Sequence, residues 1–215
     1  MKASRFITRE QMEALTEQIL EEYGYDPRGK IIQPVPIEEL VEFHFDLQIC
    51  WETIDHLDAG GIVMAALLPD QRQIILNESR RDLFDSKLGT YHFTLAHELG
   101  HWVLHSGESP AILRLRGAEQ NRSSKPAEEV QADLFAGCLL LPEPMLVRAV
   151  DQLKRMGRIH LSNLYALADC FQVSISALSV RLTQLHLLHI DSAGYVSQPA
   201  PADRKGRLEQ LTLDI

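Results

Sequence analysis

Cysteine is scarce in this 215-residue chain, and the three present, Cys50, Cys138 and Cys170, are widely spaced and form no C-x-x-C pair. That excludes a disulfide framework and a cysteine-built zinc site, and it fits buried or free thiols in a reducing compartment. Long apolar runs are also missing. No stretch reaches the roughly 18 residues that a bilayer span needs. The start, Met1-Lys2-Ala3-Ser4-Arg5-Phe6-Ile7, lacks the apolar centre of a secretory signal. Basic residues are in deficit, with 21 Lys and Arg against 30 Asp and Glu and a formal net charge of −9. Broad binding to a phosphate backbone needs a basic face, so that function class is disfavoured, although a local basic patch is compatible with the total. There is no internal repeat. These absences predict a cytoplasmic protein without a membrane segment.

What is present is enough apolar material for a sizeable core. Hydrophobic residues make up 45% and charged residues 24%, which predicts one large domain or a domain with a smaller appendage rather than wholesale disorder. The chain is organised around Thr94-Leu95-Ala96-His97-Glu98-Leu99-Gly100-His101-Trp102-Val103-Leu104-His105. It contains H-E-x-x-H at His97, Glu98 and His101, the pattern of a zinc half-site with a built-in base. On a helix, residues four apart share a face, so both imidazoles can reach one ion. Glu98 points to a neighbouring sector, where its carboxylate can take a proton from a water activated by the metal. The absence of proline from Leu88 to His105 and the apolar stripe of Leu95, Leu99, Trp102 and Val103 predict the helix, with Ser106-Gly107 as its stop. The plainer reading is a buried helix that happens to carry histidines.

Upstream, Thr8-Arg9-Glu10-Gln11 reads as a capping box opening a helix that Gly24 ends. A second short helix is expected to begin at Pro36, and a strand is expected over Leu47 to Trp51. Gly60-Gly61 introduces an apolar run from Ile62 to Leu68, and Pro69-Asp70-Gln71 turns it into Gln73 to Asn77, which predicts a hairpin packed on the His97 helix. Such a sheet either offers an edge to an extended peptide or is scaffold alone. Residues from Gly107 to Lys125 read as a polar loop, either lid or connection. Pro126 to Pro142 brackets another helix, with acids in its first turn and small Ala132 and Ala136 one turn apart for close approach.

A catalytic zinc takes three protein ligands and leaves a position for water. Downstream of His101 the candidates are His105, Glu108, Glu119, Glu128, Glu129 and Asp133. His105 lies about 12 Å along the axis from His97, too far for both to hold one ion. Glu129 shares the close-approach face with Ala132, Asp133 and Ala136. It is preferred as third ligand, with Asp133 taking the N–H of a ligand histidine. Glu128 points elsewhere and is expected to be solvated. The other reading of Glu129 and Asp133 is an exposed acidic stripe. A His97, His101, Glu129 set would be the His₂Glu site of thermolysin-like enzymes. The metzincin pattern is absent, because Leu104 and Gly107 stand where it has glycine and histidine.

The stretch from Tyr91 to His105, followed by the stretch from Glu129 to Pro142, resembles the ImmA/IrrE family of zinc metallopeptidases. That family pairs F-T-x-A-H-E-L-G-H-x-x-L-H with E-x-x-A-[ND]-x-F-A-x-x-L-L-x-P; Leu141 stands where it often has methionine. Pro36-Ile37-Glu38-Glu39-Leu40 and Ile74-Ile75-Leu76-Asn77 resemble it as well. The resemblance implies His97, His101 and Glu129 as metal ligands and Glu98 as catalytic base. It also implies, as substrate, an intracellular helix-turn-helix repressor cut in a stress or mobile-element response. Zn²⁺ is the expected cofactor, with another divalent ion such as Mn²⁺ as the substitute.

In the C-terminal third, a helix is expected from Pro144 to Gly157, then one capped by Ser162, then one capped by Ser174 and running from Ile175 to Leu187. The last two resemble a helix-turn-helix by spacing. However, Leu178, Ser179, Val180, Leu182 and Leu185 beside a lone Arg181 make a poor base-reading face, which argues for packing and against DNA binding. The tail from Gln198 is polar and proline-bearing, either flexible or docked through Leu208, Leu211 and Leu213. The expected architecture is α+β. It comprises a zincin-like (thermolysin-like) core over residues 1–145, with a small sheet on the H-E-x-x-H helix, and a helical C-terminal region over 146–215. The expected activity is zinc-dependent endopeptidase. The competing reading is a non-proteolytic, metal-bound regulator that binds DNA or a partner protein through the C-terminal helices.

Overall fold

Thr8 opens helix α1 (Arg9–Tyr23): its hydroxyl accepts from the Gln11 N–H at 3.2 Å, and the Gln11 side chain accepts from the Thr8 N–H at 3.0 Å. Gly24 ends it, as the sequence predicts. These elements come from a computed structural model, which describes residues 7–57, 62–105, 126–191 and 195–197. Several expectations lie outside the described residues: the stop at Ser106-Gly107, the loop carrying Glu108 and Glu119, Gly60-Gly61, and the tail with Leu208, Leu211 and Leu213.

A short helix, α2 (Ile37–Glu39), widens into a π turn over Leu40–His44. Pro36 precedes it as the cap rather than opening it. Strand β1 (Gln48–Glu52) follows, then β2 (Ala65–Leu68) and β3 (Gln73–Asn77). The hairpin turn at Pro69–Gln71 closes with Arg72 in the left-handed region at φ 53°. β3 is central, parallel to β1 and antiparallel to β2, in the order β1-β3-β2. Asn77 at the end of β3 is fully buried and fully used. Its amide donates to the Val63 carbonyl and to Asp55, and its side-chain oxygen accepts from the Ser79 N–H.

Helix α3 (Arg81–Ser86) leads into α4 (Leu88–His105), which takes in the whole proline-free stretch read from the sequence. Next come α5 (Ala127–Leu140) and α6 (Glu143–Met156), set at 57° to each other across Pro142, where a continuous helix is blocked. Helix α7 (Leu161–Phe171) and α8 (Ile175–Gln184) complete the helical part, with the two-residue strands β4 (His189–Ile190) and β5 (Val196–Ser197) after them. Two expectations are corrected here. His160, not Ser162, caps α7, because the Asn163 side chain accepts the His160 N–H at 2.8 Å and starts the helix earlier. Ser174 does cap α8, but the helix stops at Gln184 rather than Leu187.

The fold is mixed α+β, a small sheet among many helices, and one buried cluster runs from Met12 in α1 to Leu188 after α8. Leu95, Ala96 and Leu99 of α4 meet Phe135, Ala136 and Leu139 of α5 in it. The first turn of α4 abuts the α7–α8 turn. A Cβ placed on Gly89 would lie 2.4 Å from the Ser174 nitrogen and 2.5 Å from the Val173 carbonyl carbon. No single helix among the described residues is long and apolar enough to cross a membrane.

Candidate metal centre

Close approach of α4 and α5 builds the site. A Cβ on Gly100 would lie 3.2 Å from the Ala132 Cα and 3.1 Å from the Phe135 ring, so only glycine lets the helices pack this tightly. Glycine inside a helix costs about 0.5–1 kcal/mol relative to alanine. Packing against the Phe135 ring offsets that.

Across this contact the side chains converge. His97 Nε2 stands 3.1 Å from His101 Nε2, and the Glu129 carboxylate oxygens lie 3.2 Å from each ring nitrogen. All three donors lie within 4.8 Å of one another and could hold a metal ion. A tetrahedral zinc with bonds of about 2.0–2.1 Å spaces its ligand atoms about 3.3 Å apart. The observed triangle therefore fits the ion in size and in donor chemistry. His97 and His101 are buried, and Glu129 keeps 17% of its side-chain surface, so the cluster opens toward solvent on the carboxylate side.

Asp133, one turn after Glu129, accepts from His97 Nδ1 at 2.8 Å. When the ring is neutral, that bond keeps its proton on Nδ1 and turns the Nε2 lone pair to Glu129 and His101. Burial works against a charged His97 ring, yet the Asp133 and Glu129 carboxylates outweigh it and hold the ring up at about 9. Burial also acts to raise Glu129, but the two imidazoles prevail and keep its carboxyl well below the usual carboxylate range. The Glu129 and Asp133 carboxylates over a buried pair of rings make a pocket that attracts positive charge. Glu98, next to His97 and 1% exposed, adds to that field and favours the charged ring.

Glu128 is half-buried rather than solvated, and it does not join the donor group. His105, discounted as a ligand on length, is not a metal donor but stands beside the site, and Gln131 is not singled out by the sequence. His105 Nδ1 lies 3.2 Å from His101 Nδ1, and His105 Nε2 lies 3.1 Å from the Gln131 side-chain oxygen. The available signal was the spacing of His105 from His101, a further turn along the same face. Tyr91 and His92 turn elsewhere. The Tyr91 hydroxyl donates to Glu38, and His92 Nδ1 meets the Gln172 carbonyl at 3.1 Å. Arg181 on α8 is also spoken for. It is 1% exposed, donates to both Glu13 oxygens at 2.7 and 2.6 Å, and gives its Nε–H to the Leu141 carbonyl.

A peptidase-family model described as the IrrE N-terminal-like domain matches residues 62–183. The radiation response metalloprotease IrrE of Deinococcus radiodurans is 27% identical over 116 residues, covering 54% of this chain and 32% of that protein. Among solved structures, a Mycobacterium tuberculosis transcriptional regulator matches with a TM-score of 0.52 at 16% identity, over 90% of this chain and 55% of that one. At that identity the likeness is one of fold alone. The chain thus spans about a third of the length of the curated relative and about half that of the solved one.

Proposed function

The chain belongs to the family of the IrrE N-terminal-like domain, and from that membership and the donor cluster we propose that it is a zinc-dependent endopeptidase with a zincin-like core. One observation carries the reading. Two imidazole nitrogens and a carboxylate meet at 3.1–3.2 Å, with a further carboxylate, Glu98, one residue after the first ring. A site that only held structural zinc would be closed by four protein ligands and would need no base beside it.

In this proposal His97, His101 and Glu129 hold the ion, with manganese as a substitute for zinc. When bound, the ion supplies a Lewis acid and lowers the pKa of a water to about 7. Asp133 keeps the His97 ring in the tautomer that presents Nε2. Glu98 takes a proton from the attacking water and returns it to the nitrogen of the leaving amine, a role worth roughly 10²–10⁴ in rate. β2 is an edge of the sheet and packs on α4, which suits an extended substrate segment adding as a further strand. The substrate class we propose is a helix-turn-helix transcriptional repressor in the cytoplasm, cut in a stress or mobile-element response. The division into a peptidase unit over 1–145 and a helical region over 146–215 belongs to the same proposal. The competing DNA-binding reading is disfavoured by Arg181, the basic residue it would rely on, because that side chain is buried against Glu13.

Co-expression with candidate repressors tests the proposal. Wild type yields a cleavage fragment, and Glu98→Gln abolishes it while metal analysis of the purified variant shows the ion retained. Identical fragments from wild type and variant overturn the reading.

A further inference from the structure

The two rings of the cluster are supported differently. His97 Nδ1 meets a carboxylate, Asp133. His101 Nδ1 meets another imidazole, His105, which in turn meets the neutral side chain of Gln131. His105 is 4% exposed and Gln131 8%, so this chain of contacts runs through the protein interior.

Proton bookkeeping fixes the direction of the chain. If His101 presents its Nε2 lone pair to an ion, its one ring proton is on Nδ1. Two ring nitrogens 3.2 Å apart can bond only if one donates and the other accepts, so His105 Nδ1 must be the acceptor. The His105 proton is then on Nε2, and there the group facing it at 3.1 Å is an amide oxygen, which can only accept. Each of the three links demands the same tautomers.

We propose that His105 and Gln131 are positioning residues for His101: Gln131 sets the tautomer of His105, and His105 sets the tautomer and ring angle of His101. The proposal rests on the reading of His101 as a ligand through Nε2. It adds a neutral counterpart to the Asp133 support. With the Glu129 and Asp133 carboxylates already beside the cluster, a relay ending in an amide orients the second ring without bringing in another acidic side chain. Loss of such outer support costs roughly 10–100-fold in metal affinity.

The test uses full-length protein stripped of metal, with zinc itself as the probe in competition against a chromophoric chelator. Gln131→Met and His105→Phe keep volume but lose the acceptor, and each is expected to weaken zinc binding by about 10-fold or more. His105→Asn, whose side-chain oxygen stands near the position of Nδ1, recovers most of that loss. Nitrogen-15 spectra of the zinc-loaded wild type show His101 protonated on Nδ1 and His105 on Nε2, and Gln131→Met removes the preference at His105. A role in packing alone would move neither the tautomers nor the rescue. Wild-type zinc affinity in both Gln131→Met and His105→Phe, or a His105 proton on Nδ1, overturns the relay while leaving the metal site standing. Failure of the wild type to bind zinc overturns the site and the relay together. Tight zinc binding that depends on His105, without any cleavage, sustains the relay and overturns only the peptidase.

Discussion

Charged side chains gather at both ends of α5, and they are used in opposite ways. At the upstream end Glu129 and Asp133 face the two rings of α4. Past the downstream end, the Leu141 carbonyl accepts from Arg181, whose guanidinium is matched by Glu13 of α1 in a two-pronged pair. That second group is complete. Its opposite charges are paired, and it ties α1, α5 and α8 together. On the proposed reading, the contrast separates charge available to a cation from charge that fastens a fold.

The largest effect expected is at the upstream end. Glu129→Ala should weaken zinc binding by more than the roughly 10–100-fold typical of an outer residue. Chelator competition measures the loss, and the urea midpoint of the stripped protein should move less than in any downstream variant. Arg181→Met should do the reverse, because it strands the Glu13 carboxylate in the interior. Breaking one partner of a buried pair costs about 3–5 kcal/mol. Urea unfolding reads that cost, the surviving folded protein should bind zinc as wild type does, and the double variant with Glu13→Gln should regain part of the stability. If Arg181→Met alters zinc affinity as strongly as Glu129→Ala does, the distinction between the two ends collapses.

Gly100→Ala sits between the two cases. The added methyl meets the Ala132 backbone at 3.2 Å, and overpacking of this kind costs about 1–3 kcal/mol. Because the strain separates α4 from α5, zinc affinity should fall together with the thermal midpoint.

The smallest effect concerns alkaline pH. Burial pushes the Cys138 thiol up to about 12 from 9.0, and it pushes the Tyr25 hydroxyl to about 12 from 10.0. The folded state therefore holds protons that the unfolded state releases. The stability from Cys138 is fully present below pH 9 and is lost as pH rises toward 12, with Tyr25 adding to the decline from pH 10. Denaturation curves against pH should show this slope, and Cys138→Ala should delay its onset.

How much of this was legible depended on range. The bounds of α4 and α5 follow from local signals, the proline-free apolar stripe and the flanking Pro126 and Pro142. The placing of Glu129 and Asp133 on one face followed from helix periodicity and small neighbours, and the structure brings both to the histidines. His105 is rightly excluded as a ligand by its distance from His97, and its contact with His101 follows only from the spacing of one further turn. Gln131 carried no signal, since its meaning arises only once two helices are packed. The Glu13–Arg181 pair spans 168 residues, and no local pattern announces a partner so remote. The cap at His160 was missed for a smaller reason, as Ser162 is the better capping type and the Asn163 side chain decided the matter.

The notch at Gly89 has a meaning of its own. This chain presses the bend between α7 and α8, Val173 and Ser174, into the first turn of α4. The histidine-bearing helix is thus braced from behind by a segment more than 80 positions later. Any bulkier residue at position 89 would unhitch that brace, so a shift of the bend and a tilt of the helix are mechanically one event.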